Sequence, residues 1–197
     1  MNSEFWNDRY SSSDYAYGIE PNDFLKKQNF KPKGNILCLA EGEGRNAVFL
    51  ARQGYKVTAI DYSLKGLQKT QQLAKIFKVS IDTICADIGT YDFDENQWDG
   101  IVCIFGHFPP SLRNKVHSKI YSSLKKGGKC VLVAYSKEQL KYNTGGPLNA
   151  DLLYSINELE EDFSDFKTIL IEQIEINISE GKFHDGLSSV IQIIGEK

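Results

Sequence analysis

Short apolar runs alternate with amphipathic segments between residues 36 and 134 of the chain. The runs show no polar alternation, which is typical of parallel strands whose two faces are both covered by helices. This pattern predicts strands at 36–40, 56–60, 81–85, 100–105 and 129–134, separated by helices at 45–53, 63–77 and 110–124. Gly54, Ser63 and Pro110 support these limits, since such residues commonly end, cap and start helices. The alternation indicates an α/β protein.

After the fifth predicted strand the rhythm changes. A loop rich in Gly, Asn and Pro at 142–149 precedes a short acidic helix at 156–162, and long apolar runs follow at 168–178 and 187–194. A polar turn joins these two runs, so we expect an antiparallel pair that closes the sheet. The predicted fold is a doubly wound α/β domain over 1–197, with seven strands in a mostly parallel sheet and an antiparallel last strand.

The segment 1–30 precedes this regular pattern. It is polar and aromatic, and it includes Trp6, Tyr10, Tyr15 and Tyr17. A chain of 197 residues is expected to form one compact domain. We therefore expect residues 1–30 to be a covering segment of that domain.

Composition narrows the range of functions. The net charge of −3 and the isoelectric point near 5.7 give no general attraction to nucleic acid or to anionic membranes. No apolar stretch approaches the roughly 20 residues that span a bilayer, and the N-terminus lacks the pattern of a signal peptide. These features predict a cytoplasmic protein that binds neither nucleic acid nor membrane.

The cysteines and histidines show no metal-binding pattern. The four cysteines are widely spaced in apolar runs and are expected to be buried free thiols; they are Cys38, Cys85, Cys103 and Cys130. The histidines are scattered along the chain, so no metal site is predicted.

The most informative segment is a strand that runs into a glycine-rich turn. Residues 37–47 read Leu-Cys-Leu-Ala-Glu-Gly-Glu-Gly-Arg-Asn-Ala, so Gly42 and Gly44 allow a tight turn where a helix opens. Asp61 ends the second predicted strand beside this turn, where a carboxylate can accept both hydroxyls of a ribose. A tight connection without a ligand is the alternative, and the order of Gly42, Gly44 and Asp61 favours a ligand site.

Charge distinguishes the two classes of ligand that bind to such a turn, namely dinucleotides and S-adenosylmethionine. A dinucleotide would place a pyrophosphate beside Glu41 and Glu43, and like charges at close range repel by about 1–4 kcal/mol. S-adenosylmethionine carries a sulfonium, an ammonium and a single carboxylate, so an acidic turn attracts it. The sequence favours S-adenosylmethionine over a nicotinamide dinucleotide.

The chain resembles the class I S-adenosylmethionine-dependent methyltransferases, which have a Rossmann-like fold, over nearly its whole length. It is most similar to small-molecule methyltransferases of the tellurite-resistance and thiopurine types. The stretches that carry the resemblance are Phe5-Trp6-Asn7-Asp8-Arg9-Tyr10, Tyr17-Gly18, the turn from Ala40 to Ala47, Asp61, Asp87 and Gly127-Gly128. Less general family-like stretches are Thr144-Gly145-Gly146-Pro147, Asp151-Leu152-Leu153-Tyr154 and His184-Asp185-Gly186.

The resemblance implies a role for each matching residue. Glu41, Gly42 and Gly44 would hold the methionine part of the cofactor, Asp61 the ribose, and Asp87 with Ile88 the adenine. Further cofactor-binding candidates are Asn46, Tyr62 and Tyr17. The resemblance also implies that the N-terminal segment, residues 1–30, forms a lid over the cofactor.

The turn departs from the common class I pattern at two positions. Cys38 stands where Asp is frequent, and Ala40 stands where Gly is frequent. Ala40 reduces backbone freedom, so the cofactor is expected to approach slightly less closely there.

The acceptor is expected near the end of the fourth predicted strand, beside His107. This histidine is the candidate catalytic residue because an ordinary pKa of ~6.5 suits proton transfer; capping the next helix is its alternative use. Phe105 and Phe108 could form an apolar wall. A thiol or chalcogenide acceptor would need little help from a base. His184 lies in the late turn, either bordering this pocket or exposed.

The predicted function is methyl transfer from S-adenosylmethionine to a small-molecule acceptor, by a monomer or homodimer. A regulatory module that binds the same cofactor without catalysis is the main alternative. An oxidoreductase with a nicotinamide cofactor is a third possibility.

Overall fold

The computed structural model describes residues 2–197, so Met1 of the predicted lid segment lies outside it. Seven strands form one sheet, and helices cover both of its faces. The strands are β1 (Asn35–Leu39), β2 (Lys56–Asp61), β3 (Asp82–Cys85), β4 (Trp98–Ile104), β5 (Leu124–Tyr135), β6 (Thr168–Ser179) and β7 (Asp185–Glu196). The helices are α1 (Ser3–Arg9), α2 (Asp23–Lys26), α3 (Arg45–Arg52), α4 (Leu64–Ile76), α5 (Pro110–Ser123) and α6 (Ile156–Asp162). Two short 3₁₀ helices span Lys137–Lys141 and Ala150–Leu152.

The strand order is β3-β2-β1-β4-β5-β7-β6. Strands β1 to β5 are parallel to their neighbours, and β7 is antiparallel to both β5 and β6. The predicted α/β class, the mostly parallel seven-stranded sheet and the antiparallel last strand are confirmed. The chain leaves β1 in one direction and later returns to add β4 on its other side. The connections after these two strands therefore diverge and leave a crevice at the carboxyl edge of the sheet.

Alternate residues of each central strand enter two separate hydrophobic cores. Ile36 and Cys38 of β1 face the core beneath α3 and α4, and Leu37 and Leu39 face the core beneath α5. This double burial explains why the strands lack polar alternation in the sequence. Among residues 2–197, no helix has both the length and the apolar character needed to cross a bilayer.

Two expectations about local structure are wrong. Residues 125–128, expected to connect the helix at 110–124 to the strand at 129–134, lie within β5, which begins at Leu124 and has an irregular register against β4. The backbone of the C-terminal Lys197 bonds to Gly127 and Gly128, so a partner distant in sequence extends the strand. Cys85 is exposed, unlike the three other cysteines, because β3 is a short strand at the edge of the sheet.

The N-terminal segment lies across the first turns of α3 and α4. The side-chain oxygen of Asn7 accepts hydrogen bonds from the Ser63 hydroxyl and from the N–H of Lys65. Further along the segment, the N–H of Asn22 donates to the side chain of Asn46. Polar contacts therefore tie this segment to the two helices that follow β1 and β2.

A buried ion pair strengthens this attachment. Lys69 Nζ lies 2.5 Å from Glu43 Oε1, and both side chains are less than 10% exposed. The second oxygen of Glu43 accepts the N–H of Ala16, and Lys69 also donates to the carbonyls of Ser12 and Asp14. One lysine thus compensates a buried carboxylate and holds the backbone of the covering segment.

We expect Lys69→Met to lower the free energy of unfolding by about 3–5 kcal/mol, because it leaves the Glu43 carboxylate buried without a counter-charge. Urea unfolding measures the loss. The double variant Glu43→Gln/Lys69→Met should recover most of it, and Lys65→Met, an exposed lysine of the same helix, is the matched control. A loss below about 1 kcal/mol for Lys69→Met would contradict this account.

Candidate active site

A cavity of about 1190 Å³ opens at the carboxyl ends of β1, β2 and β4. Helix α1, the loop 143–149 and the turn between β6 and β7 form its other walls. The volume exceeds the roughly 300–1,000 Å³ that is usual for one small-molecule ligand. The space therefore suits two ligands side by side.

Most of the candidate residues from the sequence line this one cavity. They are Tyr17, Glu41, Asn46, Asp61, Tyr62, Asp87, Ile88 and His107. Gly42 and Gly44 lie in the turn beneath the wall and do not line the cavity.

The two glycines are required by packing within the protein. Both have positive φ, at +64° for Gly42 and +91° for Gly44. A Cβ on Gly42 would lie 2.6 Å from the Tyr10 hydroxyl oxygen, and one on Gly44 would lie 2.7 Å from Thr70 Cγ2. Their role is to let the covering segment and α4 approach the turn. Ala40 also has a positive φ of 50°, a conformation that is strained for a residue with a side chain.

Glu41 caps helix α3 from a position on the cavity wall. Its Oε1 accepts the N–H groups of Asn46 and Ala47 at 3.1 and 2.8 Å. Burial raises the pKa of Glu41 to about 7, although these two hydrogen bonds favour the anion. The carboxyl is therefore balanced between its two forms near neutral pH, and a cation beside it would favour ionisation.

Asp61 connects the end of β2 to the glycine turn. Its Oδ2 accepts the N–H of Gly42 at 2.9 Å, and its Oδ1 accepts the N–H of Ser63 at 2.7 Å. Burial raises its pKa to about 6. Each carboxylate oxygen has further lone-pair capacity, so a fixed acceptor remains available to ligand hydroxyls in the cavity.

Asp87 follows β3 and belongs to a tight turn. Its Oδ1 accepts the N–H of Gly89 at 2.8 Å, while the residue as a whole is exposed. Ile88, Tyr62 and Leu112 line the adjoining wall. The arrangement offers a largely apolar surface for a flat ring with one carboxylate at its edge.

The charge of the glycine turn needs a correction. The sequence places the negative charges of both Glu41 and Glu43 in the turn, but Lys69 compensates the charge of Glu43. The acidic character of this half of the cavity therefore comes from Glu41 and Asp61. The sequence could not show the compensation, because Lys69 lies a whole strand further along the chain.

His107 lies on the cavity wall with both ring nitrogens bonded to the backbone. Nδ1 is 2.7 Å from the carbonyl oxygen of Leu152, and Nε2 accepts the N–H of Tyr135 at 3.3 Å. A carbonyl can only accept, so the proton is on Nδ1. Burial lowers the pKa of His107 to about 4. In this arrangement the ring is neutral, and neither nitrogen is available to an acceptor.

His184 is buried in the turn between β6 and β7, although its place in a turn suggested exposure. Its Nδ1 lies 3.7 Å from Glu180 Oε2, and its ring centroid lies 4.5 Å from that of Tyr17 and 4.6 Å from that of Phe105. Burial lowers the pKa of His184, so the free ring is neutral at pH 7. Its other nitrogen, Nε2, is on the edge of the ring away from this contact.

Glu180 joins three parts of the chain beside His184. Burial opposes its ionisation, but the contact with His184, then Arg45 at 2.6 Å and the amide of Asn22 at 2.8 Å, lower its pKa to about 2. A permanent carboxylate therefore lies next to His184. The family-like stretch His184-Asp185-Gly186 was the only sequence signal for this cluster, and Glu180 had none.

Several wall residues were not proposed as site residues from the sequence. They are Phe5, Arg9, Arg45, Leu112, Leu148, Lys182 and Phe183. Phe5 and Arg9 belong to the stretch that carries the family resemblance, which was a usable signal. The others depend on how α5, the loop 143–149 and the last turn meet above the sheet.

Residues 36–128, slightly less than half of the chain, match a family model described as a methyltransferase domain. No curated protein sequence matches the chain. Three similar solved structures are a methyltransferase of *Methanosarcina mazei*, a phosphoethanolamine N-methyltransferase of *Haemonchus contortus*, and a structure described with the conversion of a disulfide bond into a thioacetal group during echinomycin biosynthesis.

The *Methanosarcina mazei* protein is 16% identical, with a TM-score of 0.68 over 90% of this chain and 99% of that one. The *Haemonchus contortus* enzyme is 17% identical, with a TM-score of 0.71 over 100% of this chain and 61% of that one. The structure from echinomycin biosynthesis is 15% identical, with a TM-score of 0.74 over 99% of this chain and 91% of that one. The chain has the fold of S-adenosylmethionine-dependent methyltransferases.

The environment of His107 predicts its titration. We expect its ring-proton NMR signals to stay constant from pH 8 to about pH 5 and to shift with a midpoint of about 4, because burial disfavours the charged ring. His107→Asn assigns the signals by removing them. A midpoint near ~6.5, the ordinary value for histidine, would show that the ring is open to solvent.

Proposed function

We propose that the protein is an S-adenosylmethionine-dependent methyltransferase that acts on a small-molecule acceptor. The main support is the cavity at the carboxyl edge, which has acidic groups at the ends of β1 and β2 and an aromatic compartment beside them. The methyltransferase-domain match over 36–128 and the similar structures agree with this assignment. Similarity to the tellurite-resistance and thiopurine types is the finer part of the proposal.

The cofactor half of the cavity suits S-adenosylmethionine. Asp61 would accept the ribose hydroxyls, and Asp87 and Ile88, with Tyr62 nearby, would hold the adenine. Glu41 would face the positively charged methionine end, which favours its ionised form. A dinucleotide fits less well, because its pyrophosphate would lie at the glycine turn beside Glu41.

Aromatic rings form the acceptor compartment, where the N-terminal segment and the turn between β6 and β7 meet the end of β4. Tyr17 and Phe183 come from the N-terminal segment and the last turn, and Phe105 comes from the end of β4. These rings exclude water and orient the acceptor, which is the main contribution a protein makes to such a displacement. When bound, S-adenosylmethionine supplies an electrophilic methyl group on its sulfonium.

His184 is better placed than His107 to receive a proton from the acceptor. Its Nδ1 faces Glu180, so an imidazolium formed by protonation at Nε2 would be stabilised by a permanent carboxylate. His107 has both nitrogens engaged and serves as a fixed part of the wall. This assignment moves the proposed catalytic role away from His107.

A thiol or chalcogenide is the acceptor class that this site suits best. Such a nucleophile is partly ionised near neutral pH and needs little general-base assistance. One structural relative is described with the conversion of a disulfide bond into a thioacetal group, which is chemistry at sulfur. The walls contributed by α1 and the last turn suit a small acceptor more than a nucleic acid or a membrane lipid.

We also propose a cellular location and an oligomeric state for the protein. All four cysteines are free, which suits a reducing compartment such as the cytoplasm. For the assembly, we propose a monomer or a homodimer.

The proposal predicts binding of S-adenosylhomocysteine, measured by calorimetry, with no comparable binding of NAD. Asp61→Asn should weaken this binding by about 1.5–3 kcal/mol, because hydrogen bonds to a charged carboxylate are lost. A panel of thiols, selenols and amines should then show which acceptor yields S-adenosylhomocysteine. Binding without any product would favour a regulatory module, and tight NAD binding would favour an oxidoreductase.

His184→Gln should reduce turnover by roughly 10²–10⁴-fold for acceptors that must lose a proton, and much less for thiols already ionised at the assay pH. The affinity for S-adenosylhomocysteine should change little. The measurement is kcat over a series of thiols of increasing pKa. Equal losses across the whole series would contradict a proton-transfer role.

A further inference from the structure

The amino-acid end of S-adenosylmethionine carries a carboxylate as well as cationic groups, and the cavity must accommodate both. Building on the proposed function, we infer that Arg9 binds this carboxylate. Two features of the cavity wall support this role: where its hydrogen-bond donors lie, and which of its cationic side chains already have partners.

The glycine turn is poorly suited to receive the carboxylate itself. The first turn of a helix often binds anions through its free N–H groups. At α3, however, Glu41 already accepts the N–H groups of Asn46 and Ala47. The side chains of Glu41 and Asp61 add negative charge at the same place. A carboxylate bound there would meet repulsion and few free donors, so its counter-charge must come from another wall.

Three cationic side chains line the cavity, and two of them are less suitable. Arg45 lies 2.6 Å from Glu180, and both side chains are largely buried, so its charge is compensated. Lys182 is exposed in the turn between β6 and β7, with its Nζ 5.5 Å from the centroid of the Phe183 ring, and its ammonium lacks the planar fork that matches a carboxylate. Among residues 2–197, Arg9 has no carboxylate partner within 4.0 Å.

Arg9 is also held in place by its neighbours. Its guanidinium lies 3.8 Å from the ring centroid of Phe183 and 5.2 Å from that of Phe5. One of its nitrogens donates to the Tyr17 hydroxyl at 3.1 Å. A guanidinium has five N–H donors, so donors remain for the forked contact that a carboxylate accepts.

Tyr10, the residue after Arg9, packs over the glycine turn. Tyr10 packs so closely on Gly42 that a Cβ on Gly42 would meet the Tyr10 hydroxyl. The segment that carries Arg9 is thus anchored beside the turn where the methionine end of the cofactor is proposed to lie.

Calorimetry with two ligands tests this role without requiring turnover. The probes are S-adenosylhomocysteine and its decarboxylated analogue, which keeps the ammonium, the thioether and the adenosine. Arg9→Gln should raise the Kd for S-adenosylhomocysteine about 10- to 100-fold, and the Kd for the analogue less than about threefold. Arg9→Lys, which keeps the charge and loses the fork, should fall between the wild type and Arg9→Gln.

Arg52→Gln is the matched control. Arg52 is exposed, and its guanidinium lies 4.6 Å from the centroid of the Phe77 ring, away from the cavity wall. This change removes the same charge and a similar ring contact, so it should alter neither Kd by more than about twofold. Circular dichroism checks that each variant is folded.

Two results would overturn the role of Arg9. Equal weakening of both ligands in Arg9→Gln would show that the residue supports the shape of the cavity without contacting the carboxylate. An unchanged Kd for S-adenosylhomocysteine would show that any anion bound by Arg9 belongs to the acceptor. If the wild type binds no S-adenosylhomocysteine, the proposed function itself fails; if it binds but without this ligand dependence, only the role of Arg9 fails.

Discussion

The site depends on how the backbone N–H groups at the turn after β1 find acceptors. A tight turn followed by a helix leaves several such groups without intrahelical partners. Here two carboxylates supply the acceptors: Asp61 takes the N–H of Gly42, and Glu41 takes the N–H groups of Asn46 and Ala47. The same hydrogen bonds hold two acidic side chains at the cavity wall. The structural requirement of the turn and the electrostatic character of the site therefore have one cause.

Around this turn, the covering structures come from the two ends of the chain. Glu43 and Lys69 attach the N-terminal segment to α4, while Glu180 connects the last turn to Arg45 and Asn22. Both connections are buried charge pairs, whose individual partners are costly to remove. The proposed acceptor compartment lies where these two distant segments meet, so its shape depends on interactions that stabilise the fold as well as on the rings that line it.

Local patterns were sufficient to predict the sheet and the position of the glycine-rich turn after β1. The strands between 36 and 134 are buried on both faces and flanked by clear helix signals, so each could be recognised from a few neighbouring residues. The features that the sequence could not show depend on partners that are distant along the chain. The compensation of Glu43 by Lys69, the burial of His184 and the exposure of Cys85 all depend on the neighbours that the topology brings together. His107 is the clearest case, since its place after β4 suggested chemistry, whereas the backbone of Leu152 and Tyr135 occupies both of its nitrogens.

The dual use of Glu41 has a thermodynamic consequence for ligand binding. A carboxyl with a pKa of about 7 holds a proton in a substantial fraction of the free molecules at neutral pH. A cation that settles beside it favours the anion, so binding expels part of that proton into the buffer. The heat measured on binding would then vary with the ionisation enthalpy of the buffer, and the slope of that variation would count the protons released. The helix cap thereby links occupancy of the site to proton exchange with the solution.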